Sequence, residues 1–316
     1  MASEMDDTIC HWMRPAARLR VHGEDAAAFL QGQFSNDLCR RDEHPATYGL
    51  WLNHKGRVLA DSHVLQRGPS LFEIVSLTSP AALIRERLEA YIVADDVVVE
   101  DRTEGFAAVV LAGPGATTLV HKLGAEGAGA HRFVDLGDAV VLPARGGSHT
   151  LVCSSSETTR WGGALRDAGV REVGSSELAW HRVAAGVPSV PDELGPEDLP
   201  MEGGLEHDAI SFTKGCYLGQ EVMARLHNLG QVRRQLFVVR LDPTGVLAPK
   251  GAALHVGGQK VGELRVACPS PRPGVYPALG LAMLQVQATR PGMALALEPH
   301  GVAQVIVERL AEGSTA

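Results

Sequence analysis

The strongest constraint on the fold is the rhythm of the chain after residue 231. Six short apolar stretches follow there, at 236–241, 253–256, 260–267, 279–284, 293–297 and 303–308. Gly257-Gly258 and Pro299-His300-Gly301 read as turns between them. Short strands at this spacing, separated by residues that allow sharp reversals, suit a small β-barrel, in which every edge finds a partner. A domain boundary is therefore expected near Gly230.

Upstream the rhythm is mixed. Residues 19–23 read as a strand, and Glu24-Asp25 as acids in the first turn of a helix that Gln31-Gly32 closes. Two apolar stretches, 48–52 and 58–65, flank the turn-forming Asn53-His54-Lys55-Gly56-Arg57, a hairpin signal. Residues 71–77 read as a strand, with Ser79 as N-cap and Pro80 as the first residue of the next helix. Gly113-Pro114-Gly115 joins a strand to a helix; without GxGxxG or a following Lys-Ser/Thr it reads as a tight joint, not a phosphate cradle. Ser176 is expected to cap a helix through Ala185, and the proline-rich, acidic residues 187–200 to form a surface loop. Strands and helices alternate without regular βαβ units, so the expected class is α+β with antiparallel sheets.

Composition narrows the function. The chain has 316 residues, 45% hydrophobic and 21% charged, as in ordinary folded proteins. A net charge of −8 argues against general binding to a phosphate backbone, and the small cluster Arg225, Arg233 and Arg234 reads as a solvated face, so no direct nucleic-acid contact is expected. The five cysteines, at 10, 39, 153, 216 and 268, form no CxxC pair and read as free thiols. No apolar run reaches the ~18 residues that cross a bilayer, and the acidic start does not read as a secretory leader. The expected location is the cytoplasm, away from membranes.

One segment carries chemistry: Lys214-Gly215-Cys216-Tyr217-Leu218-Gly219-Gln220-Glu221. A thiol beside a cation and near a helix start at Gly219 ionises more easily, because both stabilise the thiolate. Gly219 permits an unusual turn, and Gln220 and Glu221 can cap free amides or hold a ligand. From the residues alone, Cys216 is open as a reactive thiol or as a small core residue.

The segment resembles the signature of the YgfZ/Iba57 family of folate-binding iron–sulfur proteins. The similarity extends to Ala224-Arg225 and residues 230–234, to Arg182-Val183-Ala184-Ala185-Gly186-Val187-Pro188, and to Phe29-Leu30-Gln31-Gly32-Gln33 with Ser35-Asn36-Asp37. The resemblance implies the three-domain fold of the aminomethyltransferase (T-protein) of glycine cleavage around a central folate cavity. Residues 1–50 with 179–230 would form a discontinuous folate-binding domain, 51–178 a ferredoxin-like α+β domain, and 231–316 the barrel. It further implies a tetrahydrofolate-binding accessory factor for assembly or repair of [4Fe–4S] clusters. Cys216 would be the reactive thiol, with Lys214 favouring its thiolate. Cofactor contacts would come from Asn36, Asp37, Asp61, Gly215, Tyr217, Gly219, Gln220, Glu221 and Arg225. The implied partners are iron–sulfur carriers and [4Fe–4S] client enzymes.

No resident metal site is expected, though Cys216 is open as an iron ligand shared with a partner, since clusters need about four ligands. Two departures from the T-protein pattern bear on chemistry. Ala60-Asp61 stands where T-proteins carry paired aspartates, and Ala184 where they carry a Glu that meets the pterin. Losing a carboxylate removes an acceptor for ring N–H groups. The competing class is a folate-dependent aminomethyl transferase with Asp61 as its acid–base group. An effect on RNA modification would be indirect, through a cluster-dependent enzyme.

Overall fold

A computed structural model of the chain describes residues 8–39, 44–129, 131–230, 232–242 and 247–311. Residues 1–7 and Gln231, at the expected barrel boundary, lie outside the described residues.

Strand β1 (Ile9–Met13) is followed by a first unit: β2 (Ala17–His22), α1 (Ala26–Gln33), β3 (Ala46–Leu52), β4 (Val58–Gly68), β5 (Leu71–Ser76), α2 (Ala81–Glu89) and β6 (Val98–Asp101). A second unit repeats the plan: β7 (Phe106–Ala112), α3 (Ala116–Lys122), β8 (Val134–Leu136), β9 (Ala139–Pro143), β10 (His149–Ser154), α4 (Thr158–Asp167) and β11 (Arg171–Glu172). The first sheet runs β3-β4-β5-β2-β6 and the second β11-β1-β7-β10-β9-β8. In both, the opening strand lies antiparallel to the strand before the second helix, β2 to β5 and β7 to β10. The second sheet differs by the insertion of β1 between β7 and β11. The strand-helix-strands-helix-strand order expected of the middle domain thus occurs twice. Residues 50 and 51, at the expected domain edge, both lie within β3, which pairs with β4 in one sheet.

Period-2 patterning sets how the two units meet, because alternate strand residues face opposite sides. In the first unit Ala17, Leu19, Val21 and Ile74 pack under α1 and α2 with Phe29, Leu30, Ile84 and Leu88. In the second, Val109, Leu111, Val141 and Leu151 pack under α3 and α4 with Leu119, Val120, Trp161 and Leu165. The helix-free faces meet each other: Leu65 and Val75 from one sheet pack with Ala108, Val140, Leu142 and Val152 from the other. The helices therefore lie outside and the sheets inside.

Then come α5 (Ser175–Ala184), α6 (Glu206–Ala209) and α7 (Gln220–Leu229), and the barrel strands β12 (Arg234–Leu241), β13 (Ala253–Val256), β14 (Gln259–Cys268), β15 (Ala278–Gln285), β16 (Ala294–Ala296) and β17 (Ala303–Leu310). The barrel closes in the order β12-β15-β14-β13-β16-β17, with every pairing antiparallel. Its outer wall joins α5, α7 and residues 190–210 in one apolar cluster that includes Trp180, Val183, Met223, Leu236 and Leu281.

Several local expectations yield to tertiary contacts. Helix α1 has no acid in its first turn; the Asp25 carboxylate accepts from the amide of Asp96 instead. It runs through Gly32 to Gln33, and Phe34 then turns extended with its ring 4.8 Å from Trp51. Pro80, not Ser79, occupies the N-cap of α2, and Ser79 is buried with its hydroxyl 2.7 Å from the Asp61 carboxylate. Helix α5 starts at Ser175 after Gly174 and ends at Ala184. Residues 187–200 are more than a surface loop, since Val190, Glu193, Leu194 and Asp198 are all buried.

Candidate functional site

A cavity of about 640 Å³ opens along the interface between the two sheets. Asp61 and His63 on β4 share the alternation that sends Leu65 into the sheet interface, and both line the cavity. Tyr48 on β3, Ser76 at the end of β5, Arg145 in the β9–β10 turn and Arg182 on α5 contribute further walls.

Asp61 is the hub. Its carboxylate accepts from Tyr48 Oη at 2.9 Å, Ser79 Oγ at 2.7 Å and Ser76 Oγ at 3.3 Å. Burial raises the Asp61 pKa above the usual carboxylate range, and the Ser79 and Tyr48 hydrogen bonds oppose that rise. Burial likewise pushes the Tyr48 phenol up, and it lowers His63 to about 4, so His63 is neutral near pH 7. Arg182 is engaged through both terminal nitrogens: its guanidinium donates to both Glu193 oxygens at 2.6 Å and to the Val187 carbonyl at 2.6 Å. Arg145 differs, because its three nitrogens are buried with no hydrogen-bond partner among the described residues. The Asp208 carboxylate lies 3.5 Å from Arg145 Nε as an ion pair.

The Lys214–Glu221 segment forms a second place. Lys214 Nζ donates to the carbonyls of Gln31, Phe34 and Asn36 at 2.7, 2.8 and 2.9 Å. These acceptors sit at the C-terminal end of α1, where free carbonyls and the helix dipole favour a cation. Burial lowers the Lys214 pKa to about 8, with Asp37 and Cys39 acting in the opposite direction. Lys214, expected to favour the Cys216 thiolate, thus commits its ammonium to anchoring the segment. Leu218 N donates to Gly32 O at 3.2 Å and adds a second tie to α1.

Gly219 has φ +87°, and a Cβ there would lie 2.9 Å from Asn53 O and 3.1 Å from the Gly56 Cα, so only glycine lets the segment seat on the β3–β4 turn. It also starts α7, as the sequence predicts. Tyr217 is buried in the core, its hydroxyl has no hydrogen-bond partner among the described residues, and burial pushes it up to about 12. Gln220 Nε2 donates to Lys214 O at 3.4 Å. Gly215, Glu221 and Arg225 are exposed.

Cys216 is exposed, as is Cys39, whereas Cys10, Cys153 and Cys268 are buried. Burial pushes each of those three thiols up to about 11, so they stay protonated at neutral pH. Among the described residues, no group of three or more His, Cys, Asp and Glu side chains could hold a metal ion. None of the described helices is long and apolar enough to cross a membrane.

Of the residues singled out by sequence, Asp61 lines the cavity, and Asn36, Asp37, Lys214, Gly215, Cys216, Tyr217, Gly219, Gln220, Glu221 and Arg225 do not. Asp37 accepts from Gln31 Nε2 at 2.8 Å and caps the Cys39 amide at 3.0 Å. Asn36 joins the two places. Its carbonyl accepts a hydrogen bond from Lys214 Nζ, and its side-chain amide donates to Tyr48 O at 2.8 Å and Asp208 O at 2.9 Å. Tyr48, His63, Ser79 and Arg145 are the site residues that sequence reading missed. The alternation of Asp61 and His63 within an apolar strand was the available signal for one of them; Arg145 carried none.

Comparison with known proteins agrees with this architecture. Residues 13–141 match the GCVT N-terminal domain family. The crystal structure of glycine cleavage system aminomethyltransferase T from Bartonella henselae superposes with a TM-score of 0.81 at 16% identity, covering 96% of this chain and 85% of that one. At that identity the likeness shows the fold alone. The mitochondrial iron–sulfur cluster assembly factor IBA57 of Homo sapiens is 33% identical over 273 residues, 78% of this chain and 71% of that protein. This chain belongs to the YgfZ/Iba57 family. The tRNA-modifying protein YgfZ of Colwellia psychrerythraea is 26% identical over 229 residues, 69% of this chain and 67% of that protein. Within the YgfZ/Iba57 family, then, this member places Cys216 on the surface and its large cavity between two topologically matched sheets.

Proposed function

We propose that this chain is a tetrahydrofolate-binding accessory factor in the assembly or repair of iron–sulfur clusters, with Cys216 as its working thiol. The observation that carries the reading is the presentation of Cys216: an exposed thiol on a segment tied to α1 by Lys214 and seated on the β3–β4 turn through Gly219. The name of the human relative supports the pathway, and that of the Colwellia relative points to tRNA modification. One thiolate supplies one of the about four ligands a cluster needs, so the cluster is cargo shared with a carrier or client protein that brings the rest.

The cavity fits a folate. Its volume lies in the range of small-molecule sites, roughly 300–1,000 Å³. With three hydroxyls on its carboxylate, Asp61 keeps about one acceptor site for a ring N–H group, and Arg145 supplies donors that no described residue takes up. Tetrahydrofolate, when bound, carries one-carbon units on its reduced ring. This chain's residues bind and orient it: Tyr48 and Ser79 hold the Asp61 carboxylate, neutral His63 adds no competing charge, and the Asn36 bridge keeps Tyr48 in register with the Cys216 segment.

The test is a [4Fe–4S] enzyme such as aconitase, assayed under oxidative load in cells lacking this gene. Wild type should restore its activity and Cys216→Ala should not. Full rescue by Cys216→Ala overturns the thiol role.

The second reading, an aminomethyl transferase with Asp61 as acid–base group, draws on Asp61 lining the cavity of a T-protein-like fold. Three hydroxyls already occupy that carboxylate, and Ala184 replaces the expected Glu. Turnover of a methylene donor with tetrahydrofolate would favour it over the accessory role. Effects on RNA modification follow indirectly from the accessory role, through a cluster-dependent RNA-modifying enzyme.

A further inference from the structure

We infer that Arg145 is the ligand-recognition residue of the cavity, taking a carboxylate or ring-carbonyl oxygen of the occupant. The inference rests on the proposed function only for the occupant's identity as a folate.

The Arg145 side chain is 8% exposed and lines the cavity, yet among the described residues Nε, Nη1 and Nη2 all lack a hydrogen-bond partner. A guanidinium has five N–H donors and no acceptor, and a buried cation without hydrogen bonds opposes folding. A structural arginine would not be left this way, as Arg182, also in the cavity lining, demonstrates with its bonds to Glu193 and Val187. The Asp208 carboxylate, 3.5 Å from Nε, offsets part of the charge without taking a proton.

The arginine is also held in place. It stands at the head of a turn whose Gly146 (φ +71°) packs so tightly that a Cβ would come within 2.8 Å of Ala185 on the α5 side. Its guanidinium carbon lies 5.5 Å from the Tyr48 ring centre, at the end of the cavity where Tyr48 meets Asp61. Asp61 is already occupied by three hydroxyls, so the unmet demand of this end is for acceptors. A planar carboxylate or an oxo group beside a ring nitrogen answers the fork of a guanidinium with two parallel bonds. In a folate those are the glutamate or benzoyl end and the oxo-pyrimidine end.

The experiment compares wild type, Arg145→Met and Arg145→Lys by thermal unfolding and by calorimetric binding. The probes are tetrahydrofolate, a reduced pterin without the tail, and p-aminobenzoyl-glutamate. Without ligand, Arg145→Met should melt close to the wild-type temperature, because losing the Asp208 ion pair is offset by removing a buried guanidinium that makes no hydrogen bond among the described residues. Its affinity for tetrahydrofolate should fall about 10- to 100-fold, the scale of hydrogen bonds to a charged group. Arg145→Lys should recover only part, since it keeps the charge and loses the fork. A loss confined to the pterin assigns the ring carbonyl, and a loss confined to aminobenzoyl-glutamate assigns the carboxylate.

Tetrahydrofolate binding by Arg145→Met within twofold of wild type overturns the inference. So does a large drop in unliganded melting temperature, which would make Arg145 structural. If wild type binds no folate, the folate reading fails by itself. Benzoate and formate then serve as thermal-shift probes: a shift in wild type that Arg145→Met lacks upholds Arg145 as an acceptor-binding residue, and no shift in either overturns it.

Discussion

Lys214 Nζ lies 2.9 Å from the carbonyl oxygen of Asn36, a residue 178 positions earlier whose side chain holds the Tyr48 carbonyl at 2.8 Å. Tyr48 in turn donates to Asp61 at 2.9 Å. The cysteine segment and the cavity therefore share one seam of hydrogen bonds, although they are separate places on the molecule.

Removing the anchor should show in both. Lys214→Met leaves three carbonyls without their donor, at a cost of about 2–4 kcal/mol given the value of hydrogen bonds to charged groups. Urea unfolding measures the loss. Faster reaction of Cys216 with a thiol reagent in Lys214→Met, with Cys39 replaced by Ser in both proteins, is the expected sign that the segment has come loose. An unchanged rate would remove Lys214 as the anchor.

Gly219→Ala sets a side chain into the turn it now clears. The left-handed backbone costs about 1–2 kcal/mol for any L-residue, and the Cβ would approach Asn53 O to 2.9 Å besides. The expected loss exceeds ~2 kcal/mol by urea denaturation. It should be accompanied by failure to rescue aconitase. Stability within ~0.5 kcal/mol of wild type, the spread of ordinary surface substitutions, would mean that the seat of the segment is elsewhere.

The Arg182–Glu193 pair is the bidentate tie between α5 and residues 187–200. Glu193 is buried and also accepts the Ser189 amide at 2.9 Å. Glu193→Leu leaves the arginine unpaired beside the cavity and should cost about 3 kcal/mol. Arg182→Met with Glu193→Leu should cost less than Glu193→Leu alone, because the double change leaves no buried charge behind. A double-mutant cycle that comes out additive would show that the pair is not coupled.

His63 makes the protein acid-sensitive. Burial holds it at about 4 in the folded chain, against about 6.5 unfolded. Between those values the unfolded chain binds more protons, so stability falls as pH drops from 6.5 toward 4 and the penalty is complete below 4. The full span is at most ~3 kcal/mol, at 1.36 kcal/mol per pH unit of pKa difference. His63→Gln should flatten the stability–pH curve in that window. Asp61, raised by burial, acts with the opposite sign, so the comparison is made with Asp61 intact. Curves of wild type and His63→Gln that stay parallel from pH 6.5 to 4 would contradict the burial of His63.

Local patterning carries far in this chain, and only as far as local physics reaches. The α+β class, the β3–β4 hairpin around Gly56, the start of α7 at Gly219 and the closing run of barrel strands follow from periodicity and glycine placement. The Lys214–Glu221 segment was legible because its residue types are rare in that order. The doubling of one topology was not, because two sheets need share only an apolar pattern, and any of many sequences supplies it. Ser79 reads as a cap and is a partner of Asp61; Lys214 reads as a neighbour of a thiol and is a clasp on α1. Arg145, which no sequence pattern marks, is a buried cation of the cavity wall, paired with Asp208 but without a hydrogen bond among the described residues. In the sequence a buried polar side chain looks the same as an exposed one. What separates them is a partner, or the lack of one, supplied by strands and helices far along the chain, and that is settled only when the two sheets close on each other.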